Sequence, residues 1–117
     1  MSVNLYDVAY DLEKAVRQSE EFTQLQQAYK EVNQDPEAGR IFQNFRDIQM
    51  QLQQKQMTGQ EITEEEVQHA QKAAALAQQN AKIGKLLEVE QRMSSVIAEL
   101  NKIIMKPLEE LYGGLGM

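Results

Sequence analysis

The segment Leu86-Leu87-Glu88-Val89-Glu90-Gln91-Arg92-Met93-Ser94-Ser95-Val96-Ile97-Ala98-Glu99-Leu100-Asn101-Lys102-Ile103 places an apolar residue every three or four positions. Leu86, Val89, Met93, Val96, Leu100 and Ile103 step by 3, 4, 3, 4 and 3, the heptad seam of a helix that packs lengthwise on another. Ile83, Leu87, Ile97, Ile104, Leu108 and Leu111 form a second, adjoining stripe. Together the two stripes make an apolar face wider than one intramolecular partner covers. The expectation is that this helix pairs with a second chain, because a short chain with long helices buries little surface by itself. Upstream, Val67, Ala70, Ala74, Ala77 and Ala81 continue the same spacing in mostly alanine, whose small side chains let helix axes approach closely. The predicted oligomer interface is therefore Leu86, Val89, Met93, Val96, Leu100 and Ile103, with Ala70, Ala74 and Ala77. Asn80 and Gly84 predict a break or bend, and Pro107 predicts a kink or an end, since proline removes a backbone donor and clashes with the preceding turn.

Toward the N-terminus the helical spacing recurs. Leu5, Val8, Leu12 and Ala15 form one stripe, with Asn4 as N-cap and Val3 positioned to staple onto Val8. Ser19 caps or bends the chain before Phe22, Leu25, Tyr29 and Val32. Asp35-Pro36 is an N-cap followed by proline at the first helical position, leading into Ala38, Ile41, Phe45, Ile48 and Leu52. Met57-Thr58-Gly59-Gln60-Glu61-Ile62 is a loop. After it, Thr63 and Glu66 form a capping box, and Ile62 can staple onto Val67. The predicted fold is all-α: four to five helices (about 4–18, 20–32, 36–56, 63–80 and 82–106) in antiparallel hairpins or a bundle, with a long C-terminal helix. Residues 1–112 form a single domain and 113–117 a tail.

The composition excludes much chemistry. The 117 residues include seventeen Gln, one His, two Pro and no Cys or Trp. Without cysteine there is no disulfide framework, thiolate metal site or cysteine nucleophile. The N-terminus has acidic residues where a signal peptide carries positive charge, and no apolar run is long enough to span a bilayer, so the expected location is cytoplasmic with no membrane contact. The net charge is −6, and no basic face dominates, so direct nucleic-acid binding is not expected. The glutamine-rich run 49–57 keeps Ile48 and Leu52 in register, and it reads as a polar helix face rather than low complexity.

Three constellations have plainer readings beside a functional one. Glu66-x-x-His69 has the spacing of a di-metal half-site, but His69 is the only histidine and Glu66 is accounted for by capping. Arg40, Arg46 and Lys55 are the one local excess of base, a possible RNA contact only if they converge. The acidic pairs Glu20-Glu21 and Glu64-Glu65-Glu66 stand at helix starts, where the helix dipole favours them. Nothing assembles a nucleophile with a base, so no enzyme, metal or cofactor is expected.

Asn4-Leu5-Tyr6-Asp7-Val8-Ala9-Tyr10-Asp11-Leu12, Phe42-Gln43-Asn44-Phe45-Arg46, Leu52-Gln53-Gln54-Lys55-Gln56 and residues 97–112 (IAELNKIIMKPLEELY) resemble the YheA-like branch of the YlbF/YmcA family, over essentially the whole chain. The resemblance implies an all-α protein that forms oligomers. It also implies a non-catalytic role, since better-studied members act as partners in a complex that modulates ribonuclease Y and supports competence, sporulation and biofilm formation. Some members are associated with cysteine-ligated iron–sulfur clusters, which a chain without cysteine cannot hold. The expected activity is a regulatory or adaptor one, exercised as a homodimer or tetramer on a protein partner.

Overall fold

The computed structural model describes residues 4–113, and among these there are five helices and no strand: α1 (Leu5–Gln18), α2 (Glu20–Gln34), α3 (Pro36–Met57), α4 (Glu64–Gln79) and α5 (Ala81–Tyr112). Three of the four junctions are single residues. Ser19, Asp35 and Asn80 each end one helix and start the next: the backbone N–H reaches back to Val16, Val32 or Ala77, and the side chain accepts from the following turn. Each junction residue is extended, with ψ between 114° and 152°. That single extended residue redirects the chain without leaving a loop. Asn80 thus makes the expected break, ending α4 and capping α5.

The fourth junction is longer. Gly59, at φ +74°, closes a Schellman motif: its N–H donates to Gln56 O, and the N–H of Gln60 donates to Lys55 O. The Thr63–Glu66 capping box then opens α4, with the Glu66 N–H donating to Thr63 Oγ1 and the Thr63 N–H donating to Glu66 Oε1. Asn4 caps α1 through the N–H groups of Tyr6 and Asp7. The expected Val3 staple lies outside the described residues, as does the tail beyond Gly113.

The core draws on four helices. Ala28 and Val32 of α2, Ala38 and Phe42 of α3, Ala77 of α4, and Ile83, Leu86 and Val89 of α5 form one buried cluster flanked by Leu25, Ile41, Phe45 and Leu87. Cross-helix ion pairs border it. Arg46 pairs with Glu90 while its guanidinium stacks on Phe42, Lys55 pairs with Glu66, and Lys82 Nζ lies 3.0 Å from Asp35 Oδ2. All six side chains remain partly solvated, so water screens each pair and none is a main source of stability.

Two expectations are corrected here. The seam residues Leu86, Val89 and Met93, together with Ala77, are buried inside the protomer; α2, α3 and α4 cover them, so they are not surfaces offered to a second chain. And α5 does not stop at 106. It runs through Pro107 to Tyr112, because loss of one donor, which leaves the Ile103 carbonyl without its helical partner, is tolerable on a helix with free space around it.

Candidate interaction surface

At 1.5 Å per residue, α5 is about 48 Å long, and α2, α3 and α4 cover only its first half. Beyond Leu100 every residue of α5 is exposed. Ile103, Ile104, Met105, Leu108, Leu111 and Tyr112 all stand in solvent, Ile103 at 66% and Leu111 at 71%. Helix α1 repeats the situation. It is the most sharply amphipathic of the five, yet it buries no residue, and Leu5 and Val8 are 74% and 55% exposed. No α1 Cα comes within 8 Å of an α5 Cα. Between them runs an open, mainly apolar cleft of about 310 Å³, lined by Ala9, Leu12 and Val16 on one wall and Ile97, Leu100 and Ile104 on the other. The backbones of α1 and the distal part of α5 therefore stand apart across this cleft.

The whole-molecule dimensions agree. The accessible surface is 9527 Å², about 3,000 Å² above the roughly 6,500 Å² of a compact monomer of this mass. The radius of gyration is 19.1 Å, against about 13 Å for a compact domain of this length.

The predicted interface residues therefore divide. Leu86, Val89, Met93 and Ala77 belong to the core; Val96, Leu100, Ala70 and Ala74 are half-buried at its edges; Ile103 is open. The exposed apolar surface continues instead through the distal part of the adjoining stripe, Ile97, Ile104, Leu108 and Leu111, and across to α1. Their periodicity was visible in the sequence, but nothing local marked where coverage by α2 ends.

The other candidates are not brought together. Arg46 and Lys55 are held in ion pairs with Glu90 and Glu66, and Arg40 lines a separate hollow beside Leu76, so the three bases do not converge. The carboxyl of Glu66 is committed to Lys55 and to the Thr63 cap, and those hydrogen bonds hold its pKa below the usual glutamate value. His69 is exposed on the rim of an open groove of about 420 Å³ between α3 and α4, lined also by Gln51, Gln68 and Lys72. Among the described residues no three His, Asp or Glu side chains cluster as a metal site requires, and no helix is long and apolar enough to cross a membrane.

Comparison with known proteins places this architecture. The UPF0342 protein YheA of Bacillus subtilis is 67% identical over 115 residues, spanning 98% of each chain. A Bacillus stearothermophilus protein described as of unknown function (DUF964) superposes with a TM-score of 0.86 at 53% identity, over 92% of this chain and 95% of that one. The crystal structure of Bacillus subtilis RicA in complex with RicF superposes with a TM-score of 0.67 at 26% identity, over 94% and 97%. The family described as "Control of competence regulator ComK, YlbF/YmcA" matches residues 5–109, and the chain with its projecting α5 belongs to that family.

Proposed function

We propose that this protein is a non-catalytic adaptor of the cytoplasm that works as a homo-oligomer and offers helix faces to a protein partner, as relatives in the ribonuclease Y-linked complex do. The observation that carries this reading is the unpartnered apolar surface of α1 and the distal half of α5, since exposed patches of this kind mark protein contacts. One further point supports it: the relative RicA takes part in a protein–protein complex.

The test has two arms. Light scattering coupled to size exclusion should give a mass above the 13.4 kDa chain at micromolar concentration; a clean monomer overturns the oligomeric part. Cross-linking and affinity capture from the native host should then recover a defined protein partner. Recovery that is instead destroyed by ribonuclease would replace the adaptor reading with an RNA-associated one.

A further inference from the structure

The cleft between α1 and the distal half of α5 is open and mainly apolar on both walls, and no α1 Cα comes within 8 Å of an α5 Cα. A helix laid along it would meet apolar side chains on two sides. The chain itself carries such an element. Residues 97–112 project beyond the core for about 24 Å, with Ile97, Ile104, Leu108 and Leu111 along one stripe and Leu100 and Ile103 along the next.

We propose that the occupant is the distal half of α5 from a second copy, inserted reciprocally, so that each projecting helix is gripped between the α1 and α5 of its partner. The inference rests on the reading of the protein as an assembly and specifies the surface that builds it. Self-insertion accounts for both unpartnered elements at once: the two α5 ends and the two α1 helices complete a four-helix bundle from parts that are unstable alone. The excess accessible area fits too. About 3,000 Å² per chain comfortably exceeds the 1,200–2,000 Å² in total that a stable pair buries. Charge spacing is also compatible. Asp7 and Asp11 on α1 are one helical turn apart, as are Lys102 and Lys106 on α5; all four are exposed, and none forms an ion pair among the described residues. Because each copy uses the same face that it fills, association closes at two and does not propagate.

The absence of cysteine makes the test clean, since any introduced thiol is unique. Two differently tagged chains, Val8→Cys and Leu108→Cys, are mixed and oxidised; a disulfide between the two tags is expected. The pair Gln51→Cys and Leu108→Cys, with Gln51 on the far α3–α4 groove, should give none. In parallel, Leu108→Glu should weaken association on the order of 30-fold or more, dropping the mass to 13.4 kDa while a cooperative thermal transition of the α2–α5 core survives. Should that variant lose its transition, Leu111→Lys, at a position 71% exposed in the single chain, carries the same test. A wild-type monomer would overturn both this inference and the oligomeric reading. A wild-type assembly that keeps its mass in Leu108→Glu, or that cross-links equally through Gln51→Cys, would overturn the cleft alone.

Discussion

The two halves of α5 carry the same periodic pattern and meet opposite fates. From Ile83 to Met93 the apolar positions are covered by α2, α3 and α4, and Ile83 and Leu86 retain no exposure. From Ile97 to Leu111 equally apolar positions at the same spacing stand open, apart from the half-buried Leu100. Helical periodicity records that a residue requires an apolar neighbour; it does not record whether that neighbour belongs to the same chain. The first half is intramolecular architecture, and the second is apolar surface that the chain's own helices leave uncovered.

The largest effect that would break this contrast lies in the core. Leu86→Ala should lower the unfolding free energy by about 2–5 kcal/mol, measured by urea denaturation at concentrations where the protein is monomeric. Ile104→Ala under the same conditions should cost less than about 0.5 kcal/mol, because there is little burial to lose. Equal losses at the two positions would abolish the distinction between the halves of α5.

Helix caps sharpen the same contrast at smaller scale. Thr63→Ala removes the hydroxyl half of the capping box of α4 and should cost about 1 kcal/mol in the core transition. Asn4→Ala deletes an equivalent cap on α1, yet should leave that transition nearly unmoved, its effect appearing instead as weaker association. Gly84 lies inside α5, and a Cβ added there would meet only Gln78 O, at 3.8 Å, an ordinary contact. Gly84→Ala should therefore stabilise the core by about 0.5–1 kcal/mol, seen as a raised urea midpoint.

Local signals made most of the fold legible. Asn4, Ser19, Asp35, Thr63 with Glu66, and Asn80 act on backbone groups within three or four residues, so their roles could be read from neighbouring letters. The pairings of Arg46 with Glu90 and Lys82 with Asp35 join residues 44 and 47 positions apart; only the packing of α5 across the α2–α3 hairpin makes them neighbours. For the same reason the interface was placed on Leu86, Val89 and Met93. The seam spacing marks an apolar stripe, but which part of it α2 covers is decided by helix lengths and crossing angles. Ala73, beside Ile41 and Asn44 of α3, is buried on α4 with Ala77, whereas Ala70 and Ala74 of the expected alanine row are only half-buried.

The smallest effect concerns acid. The Lys82 ammonium hydrogen-bonded to Asp35, aided by the N–H groups of Ala38 and Glu37, holds the Asp35 carboxyl below its ordinary pKa, and Lys55 with the Thr63 cap does the same for Glu66. A carboxyl more acidic in the folded state binds fewer protons there than in the unfolded chain, so stability rises with pH across that interval. The contribution is complete above the usual carboxylate range, near pH 4, and is lost as the pH falls through the lowered values. Asp35→Asn, which keeps a capping oxygen but removes the charge facing Lys82, should flatten the loss of stability on titration from about pH 5 to 3. Both groups lie in the packed half, so the acid response belongs to core unfolding.

The continuation of α5 through Pro107 has a consequence for how the molecule responds to its own abundance. A helix segment of about sixteen residues with an interrupted hydrogen-bond ladder is marginal in water without tertiary support. On dilution the amides beyond Leu100 would exchange with solvent far faster than those around Leu86, and they would slow again as a second copy arrives. Under the proposed pairing, mass action would couple the folding of the outer half of α5 to protein concentration, and order at one end of the chain would become a measure of how many copies are present.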